Sequence, residues 1–193
     1  DRCLYQALSF ALQPGQVAQV LGPNGVGKTT LLKQVAGLSS LMAGDIRWQN
    51  LSVAADCQRF QRDVLFLGHL AGIKSALTVA ENLQILAACR GTPLSDDRLA
   101  TALTRVGLLG YDDTPVAQLS AGQKRRVALA RLFTEAPLLW LLDEPFTAID
   151  QAGVSELEGW LADHAEQGGM VLLTTHHRLN MRCPVLPIEL IPA

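Results

Sequence analysis

The sequence carries little excess of charge of either sign. Its 16 lysine and arginine residues against 18 aspartate and glutamate residues give a formal net charge of −2. Proteins that bind DNA or RNA through the phosphate backbone present a strongly basic surface, and nothing in this composition supplies one. The charge balance therefore argues against a nucleic acid as a partner.

Cysteine motifs and long apolar runs are also missing. The four cysteines are far apart and form no C-x-x-C pair, which argues against a zinc site or a disulfide framework and favours reduced thiols in a cytosolic compartment. Apolar runs such as residues 138–142 and 171–173 have the length of a strand rather than of a membrane span. No signal peptide is recognisable. Because the chain opens at Asp1 without an initiator methionine, we expect a short N-terminal piece to precede it.

The residues that are present predict a single α/β domain over 1–193. Hydrophobic residues make up 49% of the chain and charged residues 18%, which is enough apolar material for a core. Segments typical of strands and of helices alternate, and they are 16–21, 28–36, 44–48, 63–67, 138–142, 152–167 and 170–175. This alternation predicts a mostly parallel core sheet with helices on both faces.

The middle of the chain, about residues 72–135, has a mostly helical pattern instead. Thr78 and Glu81 have the spacing of a capping box, and Ser95 precedes two aspartates at a second predicted helix start. We therefore expect an inserted helical subdomain here, with the core formed by about 1–71 and 136–193.

A glycine-rich loop at residues 22–29 is the first motif that carries chemistry. It fits G-x-x-x-x-G-K-[ST] and follows a predicted strand and precedes a predicted helix, which is the context of a phosphate-binding P-loop. Backbone N–H groups and the helix N-terminus favour phosphate, while Lys28 can reach the β- and γ-phosphates and the Thr29 hydroxyl can bind Mg²⁺. The predicted nucleotide-binding residues are Gly22, Pro23, Asn24, Gly25, Val26, Gly27, Lys28, Thr29 and Thr30. The alternative is an ordinary glycine turn, which rarely ends in Lys-Thr at this spacing.

Two adjacent carboxylates end the apolar segment 139–142. Asp143 could hold Mg²⁺ through water, and Glu144 could polarise the water that attacks the γ-phosphate. Strands often end in charged turns, so this pattern indicates catalysis only together with the upstream loop.

The segment Leu119-Ser-Ala-Gly-Gln123 is a third motif. Ser120 and Gln123 have capping-box spacing, so a plain helix start is one interpretation. The helix then begins Lys124-Arg-Arg126, where the macrodipole disfavours positive charge. We infer that this helix start faces an anion or an acidic partner.

With these motifs in this order, the chain resembles the ATP-binding cassette family over essentially all of its length. The resemblance implies an α/β P-loop NTPase of ABC-cassette type with an inserted helical subdomain, ATP and Mg²⁺ as cofactors, and a homodimer. In such a dimer, Ser120, Gly122 and Gln123 would contact the γ-phosphate of ATP bound by the other copy. Residues 147–150 resemble the loop that crosses the dimer interface. His176 matches the switch histidine, whereas its neighbour His177 is interpreted as a surface residue.

Two positions depart from the family pattern. His69 stands where the family has a glutamine near the metal and the attacking water, so contact of His69 with the metal or the water is a hypothesis. The aromatic residue that stacks on adenine should lie before residue 1, and Tyr5 is not assigned to that role. The catalytic residues implied are thus Lys28, Glu144 and His176, and the metal-binding residues Thr29, Asp143 and His69.

Several stretches, among them residues 67–69, 72–74 and 119–132, resemble the ATPase subunits of bacterial cytochrome c maturation systems, the haem exporters. That resemblance implies a peripheral protein on the cytoplasmic face of the inner membrane, bound to the membrane only through integral permease subunits. Haem would belong to those partners. A transporter of another solute, a soluble ABC ATPase and a non-hydrolysing binding module are the alternatives. The single P-loop disfavours a soluble ABC ATPase. The presence of Lys28, Glu144 and His176 disfavours a non-hydrolysing binding module.

Overall fold

The computed structural model describes residues 4–69 and 72–192, and it is built from alternating strands and helices. In chain order the elements are β1 (Val17–Leu21), α1 (Lys28–Val35), β2 (Arg47–Trp48), β3 (Leu51–Ser52), α2 (Cys57–Asp63), β4 (Val64–Leu67), α3 (Val79–Cys89), α4 (Asp96–Arg105), a short 3-10 helix (Val116–Gln118), α5 (Ala121–Thr134), β5 (Leu139–Asp143), α6 (Gln151–Glu166), β6 (Met170–Thr174) and β7 (Val185–Glu189). The predicted α/β class with a parallel core sheet is confirmed.

The central sheet has the strand order β4-β5-β6-β1-β7, and each neighbouring pair in it is parallel. Every residue of β5 and β6 is buried, as expected for strands covered on both faces. Helix α1 packs on β5 and β6 through Leu31 and Leu32, which are 5% and 0% exposed. The apolar sequence of these strands is therefore explained by their central position.

The register of the sheet brings several strand ends to one edge. Asp143 at the end of β5 pairs with Thr174 at the end of β6, and Thr174 also pairs with Val20 in β1. Because parallel strands share one direction, the residues that follow each strand emerge together at this edge. The loop after β1 and the two acidic residues at the end of β5 are neighbours for this reason.

The contacts of the chain divide it into two compact units. The first contains the described residues up to His69, Pro137–Phe146 and those from Ala152 onward, and the second contains the described residues from Gly72 to Ala136 together with Thr147–Gln151. The second unit is helical, with α5 packed on both α3 and α4. The expected capping box is present at α3, where Thr78 Oγ1 accepts from Glu81 N at 3.2 Å and Glu81 Oε2 accepts from Thr78 N at 2.8 Å.

Three local predictions were wrong or incomplete. The strand expected over 44–48 is limited to Arg47–Trp48, in an antiparallel pair with Leu51–Ser52, since Gly44 has a positive φ of 98°. Asp63, expected in a strand, ends helix α2, which Asp56 caps by accepting from Arg59 N at 3.1 Å. Strand β7 was not predicted, because Pro187 inside it removes a donor and confines it to the sheet edge.

Within residues 4–69 and 72–192, no helix combines the length and the apolar character needed to cross a bilayer.

Candidate functional site

The glycine-rich loop joins the end of β1 to the start of α1. Gly22 and Gly27 have positive φ values of 145° and 112°. A Cβ at Gly22 would meet Val26 Cγ1 at 2.9 Å, and one at Gly27 would meet the Tyr5 ring at 3.1 Å. Gly27 is also the N-cap of α1 and supplies no side chain to cap it. The backbone N–H groups of the first turn therefore have no capping side chain, which suits an anion.

Lys28 lies over this loop. Its ammonium donates to the carbonyl oxygens of Gly22 at 2.7 Å and of Pro23 at 3.3 Å. The positive charge is thus held at the mouth of the loop, close to the position where a phosphate would enter.

The hydroxyl of Thr29 and the carboxylate of Asp143 are in direct contact. Thr29 Oγ1 donates to the two Asp143 oxygens, at 2.9 and 3.1 Å, and Thr174 Oγ1 donates to Asp143 Oδ1 at 2.7 Å. Asp143 is only 3% exposed. One hydroxyl and one carboxylate are a donor set that Mg²⁺ accepts when water and phosphate complete its shell. The residues present therefore fit this ion.

Glu144 is held in a strained backbone conformation. Its φ is +49°, a region that non-glycine residues rarely occupy. Its N–H lies 3.0 Å from Thr174 Oγ1 and 3.1 Å from the Thr174 carbonyl oxygen. The surrounding hydrogen bonds thus maintain a strain that is typical of active sites.

His176 lies beside the Glu144 carboxylate. Its backbone N–H donates to Glu144 Oε2 at 3.3 Å, and its Nε2 lies 3.5 Å from Glu144 Oε1. The His176 side chain is 64% exposed and the Glu144 side chain 26%. Both groups can therefore be reached by a substrate.

The interpretation of His177 as a surface residue was incomplete, because the side chain is 32% exposed and also makes inward contacts. Its ring is half-buried, with Nε2 3.3 Å from Glu158 Oε1 and the ring centroid 5.0 Å from that of Phe146. After β6 the chain folds back onto α6 rather than leaving into solvent, which sequence periodicity could not indicate.

His69 lies two residues after the end of β4 and is exposed. Among the described residues there is no group of three or more histidine, cysteine, aspartate or glutamate side chains placed to hold a metal. Contact of His69 with a metal stays a prediction.

The Ser120 motif belongs to the second unit, where it begins α5. Ser120 Oγ accepts from Gln123 N at 3.2 Å, and Gln123 Oε1 accepts from Ser120 N at 2.9 Å, so the predicted capping box is formed. A Cβ at Gly122 would come within 3.1 Å of the Ala148 carbonyl oxygen, so the loop at 147–150 lies directly on this helix start.

The basic residues after this motif have partners inside the unit. Arg126 donates to the Val106 carbonyl oxygen at 2.9 Å and lies 3.6 Å from Asp150, while Arg125 is only 7% exposed. With Lys124, which donates to the Ala117 carbonyl oxygen at 3.5 Å, these contacts give two of the three positive charges partners without an external anion, so the unfavourable charge pattern was weaker evidence than the motif.

Thr174 was not predicted as a site residue, although it contacts both acids. Its one signal in the sequence is a hydroxyl at the end of an apolar strand, which becomes informative only when β5 and β6 are known to be neighbours.

Comparisons with known proteins identify the family of the chain. The ABC transporter family matches residues 5–147. The cytochrome c biogenesis ATP-binding export protein CcmA of Vibrio cholerae is 51% identical over 186 residues, which cover 96% of this chain and 90% of the relative.

Two solved structures share the fold. An ABC transporter ATP-binding protein of Pyrococcus furiosus superposes with a TM-score of 0.85 at 24% identity, covering 98% of this chain and 92% of the other. The ATP-binding cassette MJ0796, a dimer bound to ADP and Pi in a post-hydrolysis state, superposes with a TM-score of 0.77 at 23% identity, covering 90% and 80%. The chain belongs to the ABC transporter family, as an ATP-hydrolysing cassette of the group that contains the cytochrome c biogenesis ATP-binding export proteins.

Proposed function

We propose that this chain is the ATP-hydrolysing subunit of a membrane export complex for cytochrome c maturation, in which it powers haem export or the release of a haem-loaded chaperone. The assignment to cytochrome c rests on the identity to the Vibrio cholerae relative. The main support for ATP hydrolysis is the arrangement at the end of the glycine-rich loop. There Thr29 contacts Asp143, and the next residue, Glu144, has its carboxylate in contact with His176.

Binding of ATP is assigned to residues 22–30. The backbone N–H groups of this loop and the first turn of α1 would surround the phosphates, and Lys28 would move from the carbonyl oxygens of Gly22 and Pro23 to the γ-phosphate. Thr29 and Asp143 would hold Mg²⁺, which neutralises charge on the phosphate oxygens when bound. His69 is a further candidate for the metal or its water.

Hydrolysis is assigned to Glu144 and His176. The Glu144 carboxylate would accept a hydrogen bond from the attacking water and orient it in line with the γ-phosphate. His176, adjacent to that carboxylate, would contact the γ-phosphate. The strained φ of Glu144 is consistent with a carboxylate held for one task.

A homodimer would complete each site. Ser120, Gly122 and Gln123 at the start of α5 would contact the γ-phosphate bound by the second copy, so that ATP closes the dimer and hydrolysis reopens it. Solved structures of the cassette MJ0796, which shares this fold, are dimers, and this supports the proposal of a dimer.

The partners proposed are integral permease subunits, with the chain peripheral on the cytoplasmic face of the inner membrane. A transporter of a different solute is the principal alternative, since nothing in the nucleotide site depends on the cargo.

Co-purification from membranes, followed by an assay of cytochrome c assembly, tests the proposal. We expect the tagged chain to retain integral subunits and to restore holocytochrome c in a strain that lacks it, whereas Glu144→Gln should retain the subunits and restore nothing. If both versions restore cytochrome c equally, hydrolysis by this chain is not what assembly needs. If the wild type supports transport of another solute and not cytochrome c, the alternative is correct.

A further inference from the structure

The segment that follows β6 carries His176 and is attached to α6 by one buried carboxylate. Glu158 of α6 is 8% exposed and accepts from Asn180 N at 2.6 Å, while its Oε1 lies 3.3 Å from His177 Nε2. A buried carboxylate is costly unless hydrogen bonds satisfy it. The contacts with His177 and Asn180 satisfy the buried Glu158 carboxylate and attach both ends of the stretch 177–180 to α6.

Glu158 lies among apolar neighbours on its helix. Leu157 and Leu161 are both fully buried, so the same helix is anchored in the core. A carboxylate fixed in this way is a rigid attachment point for the loop above it.

His177 connects this attachment point to the segment that carries the catalytic acid. Its backbone N–H donates to Thr175 Oγ1 at 2.9 Å, and its ring packs at 5.0 Å and 39° against Phe146, two residues after Glu144. Phe146 is 8% exposed and therefore buried itself. His177 is thus packed between α6 and the chain that follows Glu144.

The adjacent His176 has few contacts that could hold it in place. Its side chain is 64% exposed, and it contacts the Glu144 carboxylate, at 3.3 Å from its N–H and 3.5 Å from Nε2. The peptide N–H between residues 176 and 177 is held on the Thr175 hydroxyl, so His176 lies inside a short turn whose far side is fixed by His177. The position of His176 over Glu144 therefore depends on its neighbour.

We propose that Glu158 and His177 are positioning residues for ATP hydrolysis, which hold His176 and through it the Glu144 carboxylate in the hydrolysis-competent arrangement. Neither residue needs to touch the nucleotide. The inference rests on the proposed roles of Glu144 and His176 and adds two residues to them.

Steady-state ATP hydrolysis by the full chain tests this with two substitutions at one position. His177→Phe keeps a ring against Phe146 and removes the hydrogen bond to Glu158, whereas His177→Gln keeps a donor and loses the ring. We expect kcat to fall about five- to tenfold in His177→Phe with KM for ATP unchanged, the size of effect expected for one lost orienting hydrogen bond. His177→Gln should recover at least half of the lost activity, and Glu158→Gln should show a smaller fall in kcat alone.

Arg182→Gln is the matched control, because Arg182 also ties the chain after β6 to α6, through Glu166 at 2.8 Å and through Asp163. Its kcat should equal that of the wild type. An equal fall in kcat in Arg182→Gln would mean that Glu158 and His177 only support the fold in general. A rise in KM in place of a fall in kcat in His177→Phe would mean the same.

The pathway through His176 is tested in a His176→Ala background, in single-turnover measurements with excess protein. In that background His177→Phe should cause no further loss of the hydrolysis rate, and a further loss by the same factor would overturn the proposal.

If Glu144→Gln hydrolyses ATP as fast as the wild type, the proposed function itself fails, which is a separate result. Thermal unfolding of each variant identifies any that do not fold. If His177→Phe does not fold, Glu158→Gln, which keeps an acceptor for the Asn180 N–H, is used in its place.

Discussion

Thr174 shows how one residue can organise a site whose other members are charged. Its hydroxyl donates to Asp143 Oδ1 at 2.7 Å and lies 3.0 Å from the N–H of Glu144. The two acidic residues are adjacent in sequence, yet this threonine from the neighbouring strand contacts the carboxylate of the first and the backbone N–H of the second. The orientation of the acids is therefore a property of two strands and not of the Asp-Glu dipeptide.

His164 is a residue whose charge state affects stability away from the nucleotide site. Its ring stacks on Trp140 at a centroid distance of 3.8 Å and an angle of 7°, and its Nε2 lies 3.2 Å from the Leu138 carbonyl oxygen. A Cβ at Gly169 would come within 2.2 Å of the same ring, which explains the glycine there. Burial lowers the pKa of His164 below its ordinary value, since the charged form is poorly solvated in this position.

We predict that, because of this lowered pKa, the folded state becomes less stable as the pH falls into the acid range. Above the ordinary histidine pKa of about 6.5, the ring is neutral in both states and contributes no pH dependence. As the pH falls below that value, the unfolded chain binds the proton more readily than the folded one, so the free energy of unfolding decreases. His164→Phe keeps the stack on Trp140 and should lose less stability between pH 7 and pH 5, as measured by urea denaturation. Equal losses in the two proteins would contradict the assignment.

At the scale of the elements, α3 and α5 are joined by a buried ion triad. Glu135, just after α5, has a fully buried side chain, with Oε1 2.7 Å from Arg131 Nε and Oε2 2.9 Å from Arg90 Nε. Arg131 lies one turn earlier on α5, and Arg90 follows the end of α3. The carboxylate therefore links the ends of two helices.

Glu135→Gln should destabilise the second unit, because two arginines of low exposure lose their shared partner. We expect a loss of about 3 kcal/mol in the free energy of unfolding, the magnitude typical of a broken buried pair. The matched control is Asp45→Asn, whose ion pair with Arg47 at 2.9 Å lies on the surface and should not change stability measurably. Urea denaturation of both variants is the measurement, and equal curves for Glu135→Gln and the wild type would show that the triad adds nothing.

The helix starts were the elements that sequence reasoning predicted best. At α3 and α5 both halves of each capping box are formed. Such a motif depends on residues three apart, so a short stretch of sequence contains all of its information. Helix α2 and strand β7 lack comparable local signals and were missed.

At the scale of the whole molecule, hydrolysis is proposed to separate a dimer that ATP closes. Glu144→Gln should bind ATP and lose at least about a hundredfold in turnover, since it removes the proposed base and preserves the shape of the side chain. With ATP and Mg²⁺, this variant should accumulate as a dimer in light scattering after gel filtration.

Lys28→Ala is the control for that experiment. Without the ammonium over the loop it should bind ATP weakly and stay monomeric under the same conditions. Full turnover in Glu144→Gln would remove Glu144 from the role of base, and undiminished ATP binding by Lys28→Ala would argue against the assignment of residues 22–30.

Sequence alone determined the features that reside in short stretches of chain. The fold class, the family and the ATPase activity were predicted from motifs at residues 22–29, 119–123 and 143–144, and they are confirmed. This was possible because a phosphate-binding loop or a capping box places its groups through backbone geometry within a few residues. The roles of the individual site residues stay predictions.

Only the tertiary structure decided which distant residues meet at the site. The parallel register of β5 and β6 brought Thr174 onto Asp143 and Glu144, and the return of the chain onto α6 placed His177 on Glu158. These contacts join residues about 20 to 30 positions apart. No local pattern specifies them, because strand order and packing arise from burial of the whole core rather than from any one segment.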